Sequence, residues 1–358
     1  MEISTNEVKL ALTLSTISRR KILLRKPLSE SSSNQTREYL QFMKRITKGS
    51  EIEEKPDGFS YTPGTIQGGA ISFQCIHNTV PDLIANILPM LAFCRIPVRL
   101  SIKGTTNAKD SLSIDMIRAV YCKILSQFGV VSEIKINRRA IHPSHDGDVL
   151  LIAETANSLN PIVCDKREEL KRIIGINYSA RINSDVLHRI TNVARDKLKP
   201  ITPSVKIYND IGNSKTSAET PGFGSILLAF GNNSIYEAEC TIDGSDSLID
   251  VPAEKRMTNL LRNFLKNIRT SGSYSHTIQH FVFVLLALTT VDGSAVIIRK
   301  ISKKDKEVLF LLEEILKYTY TIEPYVKTEN DIESGLSDEL LLIKSCGVGY
   351  TNIHKPVQ

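Results

Sequence analysis

Four residues of the kinds that hold metal ions or move protons stand within one short segment, RRAIHPSHDGDV: His142, His145, Asp146 and Asp148. Imidazole and carboxylate ligands suit several divalent metals, and a bound metal can activate water for phosphodiester hydrolysis. A polar turn between two strands has the same residue types, however, and nothing in this spacing demands a metal. His276 and His280 share a face at the start of an apolar helix and read as packing or helix-start groups rather than nucleophiles. No GxxxxGK loop is present. The Pro63-Gly64 and Gly68-Gly69 pairs lack its lysine and its following helix, and read as turns into a strand over 70–75. The six cysteines stand singly without a CxxC pair, so they are expected to be reduced core residues of an intracellular protein rather than zinc ligands.

Two or three domains fit a chain of 358 residues that is 41% hydrophobic and 23% charged. The apolar stretch after Met1 has no basic region ahead of it, and no apolar run approaches the ~20 residues of a membrane span, so secretion and insertion are not expected. The net charge of +6 is gathered at Arg19, Arg20, Lys21, Arg25 and Lys26, at Arg138 and Arg139, at Lys166, Arg167, Lys171 and Arg172, and at Lys303, Lys304 and Lys306. Such clusters fit a polyanion-binding face or solvated loop charge equally well.

The elements that position these residues follow one order: helix, strand, helix, strand, strand. It runs through 81–93, 97–103, 111–128, 130–137 and 149–154, with Asp110 as the expected N-cap of the second helix and Gly129 as its stop. It recurs through 278–288, 296–299, a helix opened by the capping box Ser302 and Asp305, 318–326 and 339–344. A fainter copy opens the chain at 8–14, 21–25 and 35–48. Between the second and third copies, 184–272 has a different texture: a helix from Ser184 as N-cap, strands at 205–208, 225–230 and 235–242, a polar loop over 209–220 expected to be mobile, and a helix ending at Gly272. The reading is α+β, three repeated sheet-and-helix units with a small inserted α+β domain.

Five segments then carry a resemblance: DSLSID ending at Asp115, RRAIHPSHDGDV over 138–149, RIIGINYSARI over 172–182, PGFG at Pro221 and SCGVGYTN at Ser345. Their order resembles that of RNA 3'-terminal phosphate cyclases over nearly the whole chain, and SCGVGYTNIHK and INYSARI are most similar to the eukaryotic cyclase-like branch. The resemblance implies an RNA 3'-terminal cyclase / enolpyruvate transferase-like fold, with a repeat domain at 1–183 and 273–358 and the insertion at 184–272. It also implies a non-catalytic assembly factor in the nucleus and nucleolus, required for early pre-rRNA processing in the small-subunit processome. The implied partners are a ribosome-biogenesis GTPase, pre-ribosomal RNA and processome proteins, with no cofactor, membrane or small-molecule substrate.

True cyclases form an adenylate on a histidine after the final long apolar helix, but here VIIRKISKKDKEVLFLLEEIL contains none, so that step has no acceptor. His145 and Asp146 stand where the family has a glycine-rich turn, and Ser4-Thr5-Asn6 replaces another, which argues against a phosphate cradle. The alternative, a metal-dependent pre-rRNA endonuclease, would use the His142–Asp148 group. The cleavage motif proposed for the branch falls at Leu312, Glu313 and Glu314, where only the acidic position matches. Candidates for RNA or phosphate binding are Arg118, Arg139, Arg172 and Arg181, which match or flank family motifs and bear planar guanidinium forks. Arg118 could pair with Asp115 or Asp110 instead, and Arg181 could cap a strand.

Overall fold

In the computed structural model the described residues are 1–25, 32–244, 251–337 and 339–353. Lys26 of the first basic cluster and the final His354-Lys355 of the C-terminal motif lie outside them. Three four-stranded mixed sheets share one connectivity, in which a first strand runs parallel to a second and the last two strands add antiparallel. The first sheet contains β1 (Glu2–Ile3), β2 (Ile22–Leu24), β4 (Glu51–Lys55) and β5 (Gly58–Thr62) in the order β1-β2-β5-β4. A two-stranded ribbon, β3 (Thr47–Lys48) with β6 (Thr65–Ile66), follows it. The second sheet contains β7 (Gly69–Gln74), β8 (Val98–Gly104), β9 (Ser132–Arg138) and β10 (Gly147–Ala153) in the order β7-β8-β10-β9.

The third sheet begins with β11 (Val163–Cys164), which pairs with β16 (Gly293–Arg299) far along the chain, and β17 (Thr319–Pro324) and β18 (Leu340–Cys346) complete it. The intervening chain builds the fourth sheet from β12 (Arg172–Ala180), β13 (Val205–Gly212), β14 (Gly222–Phe230) and β15 (Ile235–Ile242) in the order β13-β12-β14-β15. That sheet thus includes a strand lying ahead of Ser184. The first three sheets also open with a strand that the five-element order omits.

Two helices serve each of these three sheets. In the first, α1 (Val8–Ser18) is so apolar that nearly every residue is buried, and α2 (Ser32–Ile46) is amphipathic. In the second, α3 (Val80–Leu91) precedes a bent helix made of α4 (Ile114–Met116), a π-helical turn at Ile117–Tyr121 and α5 (Cys122–Gln127). Its N-cap is Ser113, which accepts from the Met116 amide at 3.1 Å, and not Asp110, whose φ of 56° lies outside the extended conformation a cap requires. Gly129 stops the helix at φ 90°, as expected.

The fourth sheet carries α6 (Ser184–Leu198), capped by Asn183 rather than Ser184, and α7 (Ala253–Thr270). The third has α8 (Gln279–Ala287) and α9 (Lys303–Leu311), the latter opened by the Ser302–Asp305 capping box and prolonged by a π-helical turn at Leu312–Leu316. A short α10 (Glu329–Glu333) follows β17.

One apolar core runs through the first three sheets and their helices and takes in Tyr178, Ile226, Leu228 and Phe230 from the fourth sheet. A second core lies between the other face of that sheet and α6 and α7. Covered on both faces, β14 is buried along its whole length. The 209–220 segment is not the free loop its polarity suggests. β13 continues to Gly212, Ser217 and Ala218 are buried, and the Arg139 backbone bonds the Thr216 carbonyl and the Ala218 amide at 2.8 and 2.7 Å.

Candidate functional site

The four arginines do not assemble into a pocket. Arg139 is 2% exposed, bridges Asp115 with both terminal nitrogens, donates to Asp210 at 2.6 Å and lies 4.5 Å over the Tyr178 ring. Its guanidinium joins the second sheet's unit to β13 through these two carboxylates. Burial alone would raise the Asp115 carboxyl, but the Arg139 cation outweighs it and holds the group below the usual range. Arg118 takes its alternative role, donating to the same Asp115 at 2.9 Å with its side chain 37% exposed. Arg181 stands at φ 54° with its Nε–H donating to the Ala218 carbonyl at 3.3 Å. Arg172 is exposed and lies over the Phe230 ring at 5.1 Å.

The His142–Asp148 group diverges too. His142 faces Asp243 at 3.6 Å, His145 Nδ1 faces the Thr105 hydroxyl at 3.0 Å, and Asp148 accepts from Asn137 at 3.3 Å. Among the described residues no three His, Cys, Asp or Glu side chains are grouped to hold a metal. The SCGVGYTN segment is a strap. Tyr350 packs edge-on to Phe93 at 4.5 Å, and Asn352 donates to the Cys94 and Ala156 carbonyls at 3.0 and 3.1 Å.

Two clefts gather polar groups instead. The first, of about 350 Å³, lies where the starts of α1, α3, α8 and α9 approach one another, and its lining includes Lys9, Asp82, Tyr121, His280 and Lys304. Helix starts present free amides and a positive dipole end. Lys9 is held by Asp82 and Asn78, whereas Lys304 makes no ion pair among the described residues. Burial, helped by Lys304, pushes the His280 imidazole down to about 3, so it is neutral at physiological pH. Tyr121, 1% exposed at the end of the π-helical turn, has no protein partner for its hydroxyl among the described residues. Such turns cluster at functional sites. The arrangement can hold an anion through Lys304 and the helix starts, with Tyr121 as a hydrogen-bond donor.

The second cleft, of about 700 Å³, separates the fourth sheet and α7 from the second and third units. Lys266, from α7, and Arg299, from β16, are among its cations, while Glu237 and Glu239 of β15 belong to its acidic side. Burial pushes the Glu239 carboxyl up to about 8 against hydrogen bonds from Ser113, and the Glu237 charge adds to the rise. Glu237 is raised by burial as well, despite its bond from Thr277.

None of the four arginines lines either cleft. Sequence reasoning singled out Asn6, His280 and Lys304 separately. It missed Lys9 and Tyr121, which the packing of helices brings to the first cleft, and Lys266 and Arg299, which α7 and β16 bring to the second.

Mixed sheets of common connectivity around a shared core, with an additional sheet-and-helix module between β11 and β16, define the class. The family description RNA 3'-terminal phosphate cyclase matches residues 2–322, and the chain belongs to that family. It is 27% identical to the RNA 3'-terminal phosphate cyclase-like protein of Mus musculus over 99% of this chain and 96% of that one. It is 26% identical to the probable cyclase-like protein of Drosophila melanogaster over 89% and 85%, and 26% identical to the rRNA processing protein rcl1 of Schizosaccharomyces pombe over 89% and 86%. Similarity to an EPSP synthase from Acinetobacter baumannii, with TM-score 0.28 at 10% identity over 97% of this chain and 65% of that one, is too slight to bear on the fold.

Proposed function

We propose that this chain is a non-catalytic cyclase-like factor of pre-ribosomal RNA processing, acting in the small-subunit processome of the nucleolus together with a ribosome-biogenesis GTPase. The observation that carries this reading is the match, along most of both chains, to a relative whose printed name is rRNA processing protein. One feature supports the non-catalytic part: the stretch through β16 and α9 supplies no histidine to accept an adenylate. In this reading the ancestral RNA-end site persists as a phosphate-binding surface built from Lys304 and the helix starts.

Gradient sedimentation of the tagged chain from native lysate, with and without ribonuclease, tests the proposal. Migration in a large pre-ribosomal particle, with a GTPase retained after ribonuclease, is expected. Migration at the size of the free chain sinks the reading and turns attention to nucleotide chemistry.

A further inference from the structure

The solvent face of α7 carries a feature that the family motifs do not touch. The helix holds five cations against one carboxylate, Glu254, a net +4 where the whole chain has +6. Lys255, Arg262, Lys266 and Arg269 are all exposed, and at 3.6 residues per turn they fall within about 60° of one another, in a line about 21 Å long. Met257, Leu260, Leu261 and Phe264 occupy the buried side. Arg262 and Lys266 are four residues apart, and Lys266 and Arg269 three, so the like charges repel and weaken the helix. A stripe selected only for solubility would interleave glutamates at these positions. Here the polar neighbours are Asn259 and Asn263, and none of the four cations forms an ion pair among the described residues. The stripe is continuous with the second cleft, which Lys266 also lines, opposite Arg299 of β16.

We propose that this stripe is a docking track for the sugar–phosphate backbone of an RNA strand, which it would lead toward the second cleft. The inference rests on the RNA-processing reading and names the surface that meets the RNA. A line of unpaired cations with neutral amide neighbours suits a polyanion read without sequence preference, because each cation can replace a counterion on a phosphate.

The test is binding of a mixed-sequence, single-stranded RNA 20-mer to the full chain, followed by fluorescence anisotropy across a salt series. The variant Arg262→Gln, Lys266→Gln, Arg269→Gln keeps good helix formers and relieves the repulsion, so the helix should survive, which circular dichroism verifies. Lys44→Gln, Arg45→Gln, Lys48→Gln removes the same charge from the first unit. The expected result is a loss of roughly tenfold or more for the α7 variant, with the log–log salt slope shallower by about 2, and little change for the control. Unchanged affinity and slope in the α7 variant, or equal losses in both, would overturn the inference. If the α7 variant keeps its RNA affinity but leaves the particle, the stripe serves an acidic protein and the RNA track is refuted, while the processing reading stands.

Discussion

At Asp115 two arginines and an asparagine converge on one buried carboxylate, and the arrangement fixes what removing a partner should do. Arg139→Met deletes the cation that joins Asp115 to Asp210 and leaves the first carboxylate buried with Asn107 and Arg118 alone. Breaking a buried pair from one side costs about 3–5 kcal/mol, so the urea midpoint should drop steeply, and a variant within about 1 kcal/mol of the parent would contradict the assigned role. RRAIHPSHDGDV marked Arg139 as important, but its partner Asp210 sits on β13, in a segment that reads as a loop, so the sequence pointed to phosphate where the fold supplies a carboxylate. Glu239 gives a pH prediction. It ionises near 8 in the fold against an ordinary 4.5, so between those values the folded chain holds a proton that the unfolded chain has released. Stability from this group should therefore fall as pH rises from about 4.5 to 8 and level off above. Glu239→Gln should lessen the fall without abolishing it, because Glu237 is raised too. Melting temperatures at pH 5.5, 7 and 8.5 decide it, and identical slopes in parent and variant would refute the assignment.

Among the elements, α9 shows how a local signal sets a wall of the first cleft. Ser302 accepts from the Asp305 amide at 3.1 Å, while Asp305 accepts from the Ser302 amide at 2.9 Å and from Gln279 of α8 at 2.6 Å. Ser302→Ala should cost about 1 kcal/mol and speed hydrogen exchange at residues 303–306, freeing the turn that presents Lys304. Protection equal to the parent's there would mean that tertiary contacts, not the cap, hold the turn. This cap was legible because both of its partners lie within one turn. So were most helices, the alternating strands β8 and β17, and the short apolar run of β18, because each of these signals is local. The hairpin of β4 and β5 had a usable signal, Pro56-Asp57-Gly58, that the repeat pattern passed over. β12 had one as well, since Ile174, Ile176, Tyr178 and Ala180 alternate with Gly175, Asn177 and Ser179, but the repeat pattern did not include it. The π-helical turns at 117–121 and 312–316 depend on packing and leave no periodic trace. The first cleft was illegible for a related reason: Lys9 and Lys304 lie near opposite ends of the chain, and only the tertiary arrangement of helix starts brings them to one cleft.

Across the whole molecule, the continuity of the core decides how the chain should unfold. Residues from the first three sheets, from their helices and from the fourth sheet share one apolar cluster, so no sheet can open without exposing surface of another. The C-terminal strap adds to this coupling, because Val348 and Gly349 bond carbonyls at the end of α8 and just beyond it, while Asn352 reaches the Cys94 and Ala156 carbonyls in the second unit. Asn352→Ala removes two side-chain donors from carbonyls at a buried junction and should lower stability by about 1–3 kcal/mol. If the strap only reinforces a shared core, parent and variant should each unfold in a single transition, shifted but not split. The chain has 11 tyrosines and no tryptophan, so tyrosine fluorescence and far-ultraviolet circular dichroism are the suitable pair of probes. Coincident urea curves in both proteins support one cooperative body. If the curves separate only in the variant, the third unit is held to the second chiefly by the strap, and the continuous core contributes less to their coupling than its burial implies.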